Sequence, residues 1–144
     1  MSTQSNLDIV QQWMTLYNTD VHRMIDESYA DTFRVVCPGL LEITDKKNFH
    51  EIEQHVLDAA PDRKFRIDDS ITTGNKVIVE CVLFGTDPHD GHTWHTPWCA
   101  ILTIDNGQVV EDHSYIDATN WPGVQTMPTE LVTVHAVGTA VRPA

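Results

Sequence analysis

The sequence predicts an α+β domain in which N-terminal helices pack on a strongly curved, mostly antiparallel sheet. Three observations carry this. Before Pro61, three segments repeat their apolar residues at the three- and four-residue spacing of helices. After Asp62 the chain turns into segments rich in β-branched and aromatic residues. Between those segments stand Gly74-Asn75, Asp90-Gly91 and Asn106-Gly107, dipeptides that tolerate positive φ and so suit hairpin turns.

The first helix starts at a Ser5/Asp8 capping pair and shows an apolar face at Leu7, Val10, Trp13, Met14 and Tyr17. Asn18-Thr19-Asp20 breaks it and offers the next N-cap. Val21, Met24, Ile25 and Tyr29 form a second, shorter helical stripe. Phe33 to Cys37 reads as a strand stopped by Pro38-Gly39, and Leu40 to Ile43 as a short one. A third helix begins near Asn48, with Phe49, Ile52, Val56, Leu57 and Ala60 as its apolar face and Pro61 as its stop. Four strands follow, Lys64 to Ile71, Lys76 to Thr86, Thr93 to Ile104 and Gln108 to Asp117, with Gly85 and Pro97 expected to mark bulges or bends. A curved sheet wrapped around a long helix makes a cone whose mouth is a natural ligand pocket. Residues 1–121 are read as this single domain. Residues 122–144 are set apart as a C-terminal arm or extra strand, because Leu131 to Val141 is apolar and nearly uncharged; a disordered end is the alternative.

Composition narrows the function. The chain has 144 residues, 41% of them apolar, enough for one core without staples. Nine basic against 21 acidic residues give a formal charge of −12, so nucleic acid and anionic lipid surfaces are repelled. No stretch approaches a membrane span, and the polar Met1 to Asn6 lacks the blocks of a leader, so a cytoplasmic location is expected. Cys37, Cys81 and Cys99 form no C-x-x-C pair, which argues against a disulfide framework or a zinc ribbon.

The element order, the segment from Ile9 to Asp20 and the hairpin from Ile104 to Asp117 resemble the nuclear transport factor 2-like superfamily, with its cystatin-like cone. Within it the chain is most similar to the SnoaL-like, polyketide cyclase-like group, related to ketosteroid isomerases and limonene epoxide hydrolases. The resemblance covers about residues 6–121 and implies the fold more strongly than any one reaction, since the superfamily hosts enzymes and binding proteins alike. Family positions transfer poorly. The isomerases' helix tyrosine, proline-flanked aspartate base and sheet aspartate fall on Trp13, Cys37 and Ala100. The aspartate shared by the cyclases and epoxide hydrolases falls on Ser114, and the cyclase histidine on Ala100. The Arg-x-Asp pair of the epoxide hydrolases is missing between Lys76 and Thr86. An enzyme on this scaffold would therefore use different residues in the same pocket.

The resemblance makes Ala100 and Ser114 pocket-facing, and strand alternation then brings in Trp98, Leu102, Asp112 and Ile116. Trp13 and Tyr17 lie one helical turn apart and join from the first helix; Cys37 joins by family position. Asp112 is the main acid–base candidate, because an apolar pocket raises a carboxyl toward neutrality; a surface strand carboxylate is the alternative. Tyr17 is a candidate hydrogen-bond donor to a substrate oxygen, or else a core tyrosine. His95 is a candidate acid or base at the pocket mouth. The expected binding residues are Trp13, Cys37, Trp98, Ala100, Leu102, Ser114 and Ile116. Cys37 reads as an inert buried thiol rather than a nucleophile. His89, His92 and His95 read as a polar turn rather than a metal site. His113 is expected on the outer sheet face, His50 and His55 in solvent, and Trp94 and Trp121 as dimer anchors or, for Trp121, a pocket closure.

The function expected from these readings is cofactor-independent acid–base chemistry (isomerisation, cyclisation, dehydration or hydration) on a hydrophobic, ring-containing small molecule. The alternative is a non-catalytic binding or interaction module. A homodimer is expected for either, formed through an outer sheet face that strands apolar on both sides, such as Val77 to Phe84, would supply.

Overall fold

The computed structural model describes residues 5–132. Helices α1 (Asn6–Thr19), α2 (Val21–Ser28) and α3 (Lys46–Ala59) pack on one six-stranded sheet. Its strands are β1 (Tyr29–Cys37), β2 (Leu41–Ile43), β3 (Lys64–Thr73), β4 (Lys76–Thr86), β5 (Thr93–Asp105) and β6 (Gln108–Ile116). Their spatial order is β2-β1-β6-β5-β4-β3, antiparallel throughout except for the parallel β1–β6 pair. That parallel pair joins the early chain to the late meander and closes the α+β domain. None of the described helices is long and apolar enough to cross a membrane.

Local chemistry sets the boundaries. The Ser5 hydroxyl accepts from the Asp8 amide, Asp20 caps α2 at the Arg23 amide, and Asp45 caps α3 at the Asn48 amide. The Asp45 cap starts α3 at Lys46, two residues before the sequence reading. The Asn18 side chain, on the last turn of α1, makes two bonds to the Phe65 backbone, at 2.8 and 2.9 Å. This ties the helix to the β3 edge. Tyr29 is not the last residue of α2 but the first of β1, paired with Val109 of β6.

Alternation along β4 and β5 is unbroken. Val77, Val79, Cys81 and Leu83 face the helices, as do Trp94, Thr96, Trp98, Ala100, Leu102 and Ile104. Gly85 and Pro97 sit in continuous β4–β5 pairing, so neither is a bulge. Gly85 has a different cause: a Cβ there would stand 2.9 Å from the Trp94 ring and 3.3 Å from the Arg63 backbone. The register shift of this hairpin lies instead between Thr103 and Ile104, opposite Val110. That extra residue lets Val109 and Asp112, of opposite parity, both point inward.

After β6 a single 3-10 turn (Ala118–Asn120) leads to the short helix α4 (Pro122–Gln125) and a second turn (Thr129–Leu131). This segment folds back over α3. The Asn48 amide donates to the Leu131 carbonyl at 2.6 Å, and His55 meets the Thr126 hydroxyl at 3.0 Å. Most of the apolar stretch from Leu131 to Val141, read from sequence as an arm or extra strand, lies outside the described residues.

Candidate active site

Between the sheet and helices α1 to α3 lies a largely apolar cavity. Trp13, Tyr17, Cys37, Phe49, Trp98 and Ile116 are among its walls, and Trp121 and Met127 close it from the C-terminal segment. Its free space is about 50 Å3, room for a few water molecules. Its polar groups are few: Asp112 and Ser114 from β6, Tyr29 from β1, Glu53 from α3, and Tyr17 from α1.

These groups form two sets. The first is a hydrogen-bonded relay. The Trp13 indole N–H donates to the Tyr29 oxygen at 3.1 Å, and the Tyr29 hydroxyl donates to Oδ2 of Asp112 at 2.6 Å. The Ser114 hydroxyl donates to Oδ1 of Asp112 at 2.7 Å. Both carboxylate oxygens thus accept a hydroxyl hydrogen beside largely apolar walls. Burial raises the Asp112 carboxyl above its ordinary range, and the Tyr29 and Ser114 hydrogen bonds oppose that rise. The same burial, with Asp112 alongside, raises the Tyr29 phenol well above its usual value and keeps it a donor. Cys37 is raised by burial first and by the nearby carboxyls second, so its thiol stays protonated and unreactive.

The second set surrounds Arg63, whose side chain is 2% exposed. Its guanidinium lies 4.1 Å from the Tyr17 ring centroid, and Nη1 donates to the Tyr17 carbonyl at 3.4 Å. Nη2 stands 3.8 Å from Oε2 of Glu53, too far for a hydrogen bond, and both atoms are buried without a hydrogen-bond partner. The Glu53 carboxyl is raised by burial, lowered by Arg63, raised by Asp112 and lowered by His22. Tyr17 is raised chiefly by burial and sits edge-on to Phe65 at 4.9 Å.

Seven of the residues expected in the pocket border this cavity: Asp112, Tyr17, Trp13, Cys37, Trp98, Ser114 and Ile116. Ala100 and Leu102 face inward as alternation requires, but both are fully buried in the core and do not reach the cavity wall. His95 is misplaced by the sequence reading. With no bulge at Pro97, Trp94 and Thr96 take the inward positions, and His95 points outward beside Phe84. Trp94 is buried against Gly85 and Trp121 borders the cavity, so neither is free as a dimer anchor. His50 is not simply solvated: its ring stacks on His22, and Nε2 meets Asp26 at 2.8 Å. Among the described residues no group of three or more His, Cys, Asp or Glu side chains is arranged to hold a metal ion.

Sequence reasoning missed Tyr29, Glu53 and Arg63. Tyr29 was absorbed into a helical stripe. Glu53 carried a signal, since it lies four residues after Phe49 and three before Val56, on the same helix face. Arg63 gave none, standing alone in the short turn after Pro61.

Comparison with known proteins agrees with this architecture. The family model for the SnoaL-like domain matches residues 10–112. Among solved structures, IdmH from Streptomyces antibioticus, a proposed polyketide cyclase, is similar with a TM-score of 0.73 at 17% identity, over 86% of this chain and 100% of its own. A SnoaL-like protein from Jannaschia sp. CCS1, also a proposed polyketide cyclase, gives 0.71 at 15% identity over 89% and 100%. A protein of ketosteroid isomerase-like fold from Catenulispora acidiphila, solved with trimethylamine, gives 0.72 at 14% identity over 85% and 95%. At these identities the likeness is one of fold. No curated protein matches the chain.

Proposed function

The chain belongs to the SnoaL-like domain family, and from that premise we propose that it is a cofactor-independent acid–base catalyst acting on an apolar, ring-containing small molecule. One observation carries the reading: Asp112, 3% exposed, borders an apolar cavity and is held between the Tyr29 and Ser114 hydroxyls. Burial makes this carboxyl a stronger base than an exposed one, and fixed hydroxyl donors orient it. Aromatic walls from Trp13, Tyr17 and Trp98 suit a flat ring. The cavity is narrow, so substrate entry moves the Trp121 and Met127 wall aside.

The test needs no prior substrate. The protein is incubated in D2O with a panel of apolar ring ketones, and deuterium incorporation next to the carbonyl is followed by NMR. Exchange by the native chain that falls about 10²–10⁴-fold in a folded Asp112→Asn variant supports the proposal. Equal exchange in both removes Asp112 from the chemistry.

A second reading is a binding module that holds its ligand unchanged. The replacement of family acid–base positions by Trp13, Cys37, Ala100 and Ser114 favours it. A ring ketone that binds and is recovered without deuterium decides for it. Either reading includes a homodimer through the outer sheet face, where Ile71 and Tyr115 are 59% and 50% exposed. Light scattering at twice 16.3 kDa supports that assembly, and a particle of 16.3 kDa refutes it.

A further inference from the structure

Two carboxyls and one guanidinium are enclosed together in and beside the cavity. Asp112 and Glu53 border it, and Arg63 stands beside Glu53 with its side chain 2% exposed. The Glu53 side chain is 13% exposed. Arg63 keeps its charge under all ordinary conditions. It therefore balances one carboxylate. A second carboxylate in the same enclosure would leave a net buried negative charge, which is strongly unfavourable. We propose that Asp112 and Glu53 share a single proton, carried in the resting protein by Glu53, so that Glu53 is the proton donor that complements Asp112 as base. This rests on the reading of Asp112 as the acid–base group.

Hydrogen bonding decides where the proton sits. Asp112 accepts at both oxygens, from Tyr29 at 2.6 Å and Ser114 at 2.7 Å, and a proton there would weaken both bonds, because a neutral carboxyl accepts less strongly than a carboxylate. Glu53 has no hydrogen-bond donor on Oε2. Arg63 offers it charge at 3.8 Å but not a bond, while its guanidinium face lies on the Tyr17 ring. His22 on α2 is the other basic group acting on Glu53, and Tyr17, Tyr29 and Cys37 are held neutral by burial. Burial raises Glu53, the Arg63 charge opposes that rise, the Asp112 charge adds to it, and His22 opposes it last; the net direction is upward.

The pair suits a carbonyl compound with an acidic neighbouring C–H. Asp112 takes that proton as the C–H bond breaks. The electron pair moves to the carbonyl oxygen, which takes the Glu53 proton as a new O–H bond forms. Asp112 is then neutral and Glu53 anionic beside Arg63, so the charge of the enclosure is the same before and after. Return of the Asp112 proton to a different carbon, with the O–H proton going back to Glu53, completes an isomerisation and restores the resting state.

The test is a carbon-detected NMR titration of the carboxyls in the full chain, with no ligand added. Glu53 is expected neutral and Asp112 ionised at neutral pH. In Asp112→Asn, Glu53 becomes the only carboxyl opposite Arg63, and its midpoint falls by about 1–3 pH units. Ser114→Ala, a milder change that avoids the risk of misfolding, removes one donor from Asp112 and moves the proton toward Asp112, again lowering Glu53. A Glu53 ionised at neutral pH in the native chain overturns the proposal and leaves it a plain ion-pair partner of Arg63. So does a midpoint that stays put in both variants. Because no substrate enters, a failed deuterium exchange leaves this result standing, and a failed titration leaves the exchange result standing.

Discussion

The Tyr29 hydroxyl donates to Oδ2 of Asp112 at 2.6 Å, joining residues 83 positions apart in the chain. The bond crosses the β1–β6 seam, the one parallel pairing in the sheet. In Tyr29→Phe, Oδ2 of Asp112 loses this donor and the Trp13 N–H loses its acceptor. Leaving buried polar groups unmade costs about 1–3 kcal/mol. The expected outcome is a lower urea midpoint with an unchanged slope, and an Asp112 carboxyl raised further, since one bond favouring its anion is gone. An unchanged midpoint would mean that water replaces the phenol.

Glu53→Gln tests the cost of the second buried carboxyl. A carboxyl whose folded-state value is raised favours the folded state fully at pH below its unfolded value. That contribution is lost as pH rises through the folded value. The Glu53 and Asp112 carboxyls are both raised, so the loss runs upward from the ordinary carboxylate range near pH 4. Each unit of upward shift corresponds to about 1.4 kcal/mol. The stability of Glu53→Gln relative to the native chain is therefore expected to improve steadily from pH 4 to neutrality in urea unfolding. A constant difference across that range contradicts a raised Glu53.

Gly85→Ala isolates a packing constraint. The added methyl meets the Trp94 ring at 2.9 Å and the Arg63 Cα at 3.3 Å. The ring can tilt, but the Arg63 backbone closes the turn before β3, its N–H donating to the Ala60 carbonyl at 3.0 Å, and has little freedom. Overpacking of this kind costs about 1–3 kcal/mol. Thermal unfolding should show the loss, and near-ultraviolet circular dichroism should show a changed Trp94 environment. A native-like spectrum with native stability would mean that the β4–β5 ladder yields more easily than its continuous pairing implies.

The helices and the meander were legible because each rests on local chemistry. Ser5, Asp20 and the Asn106-Gly107 turn announce their elements within a few residues. Family resemblance put Ser114 inward, and alternation counted from it and from Ala100 added Trp98, Asp112 and Ile116. What stayed hidden depends on contacts distant in the chain. Tyr29 fitted a helical stripe as well as a strand, and only its pairing with Val109 decides between them. Gly85 resembled a bulge because a lone sequence does not show the Trp94 ring lying over it. Arg63 is a single basic residue in a turn until the fold stacks it on Tyr17. The site was thus half readable: its sheet side follows period two, and its helix and turn side follows tertiary packing.

Trp121 tests how a ring enters a cavity with only about 50 Å3 free. Trp121 borders it from the segment after β6, and its indole N–H is buried without a hydrogen-bond partner. That side chain is held by packing alone, which makes its displacement cheaper than breaking the Tyr29–Asp112 relay. Trp121→Ala removes the wall while leaving the relay intact. Truncating a buried tryptophan costs about 3–5 kcal/mol, so unfolding is expected at lower denaturant. Affinity for an apolar ring probe such as anilinonaphthalene sulfonate is expected to rise in the same variant, measured under conditions where circular dichroism shows it folded. Trp121→Phe should fall between the two in both properties. A variant that loses stability without gaining affinity would place the entrance elsewhere, away from the C-terminal segment.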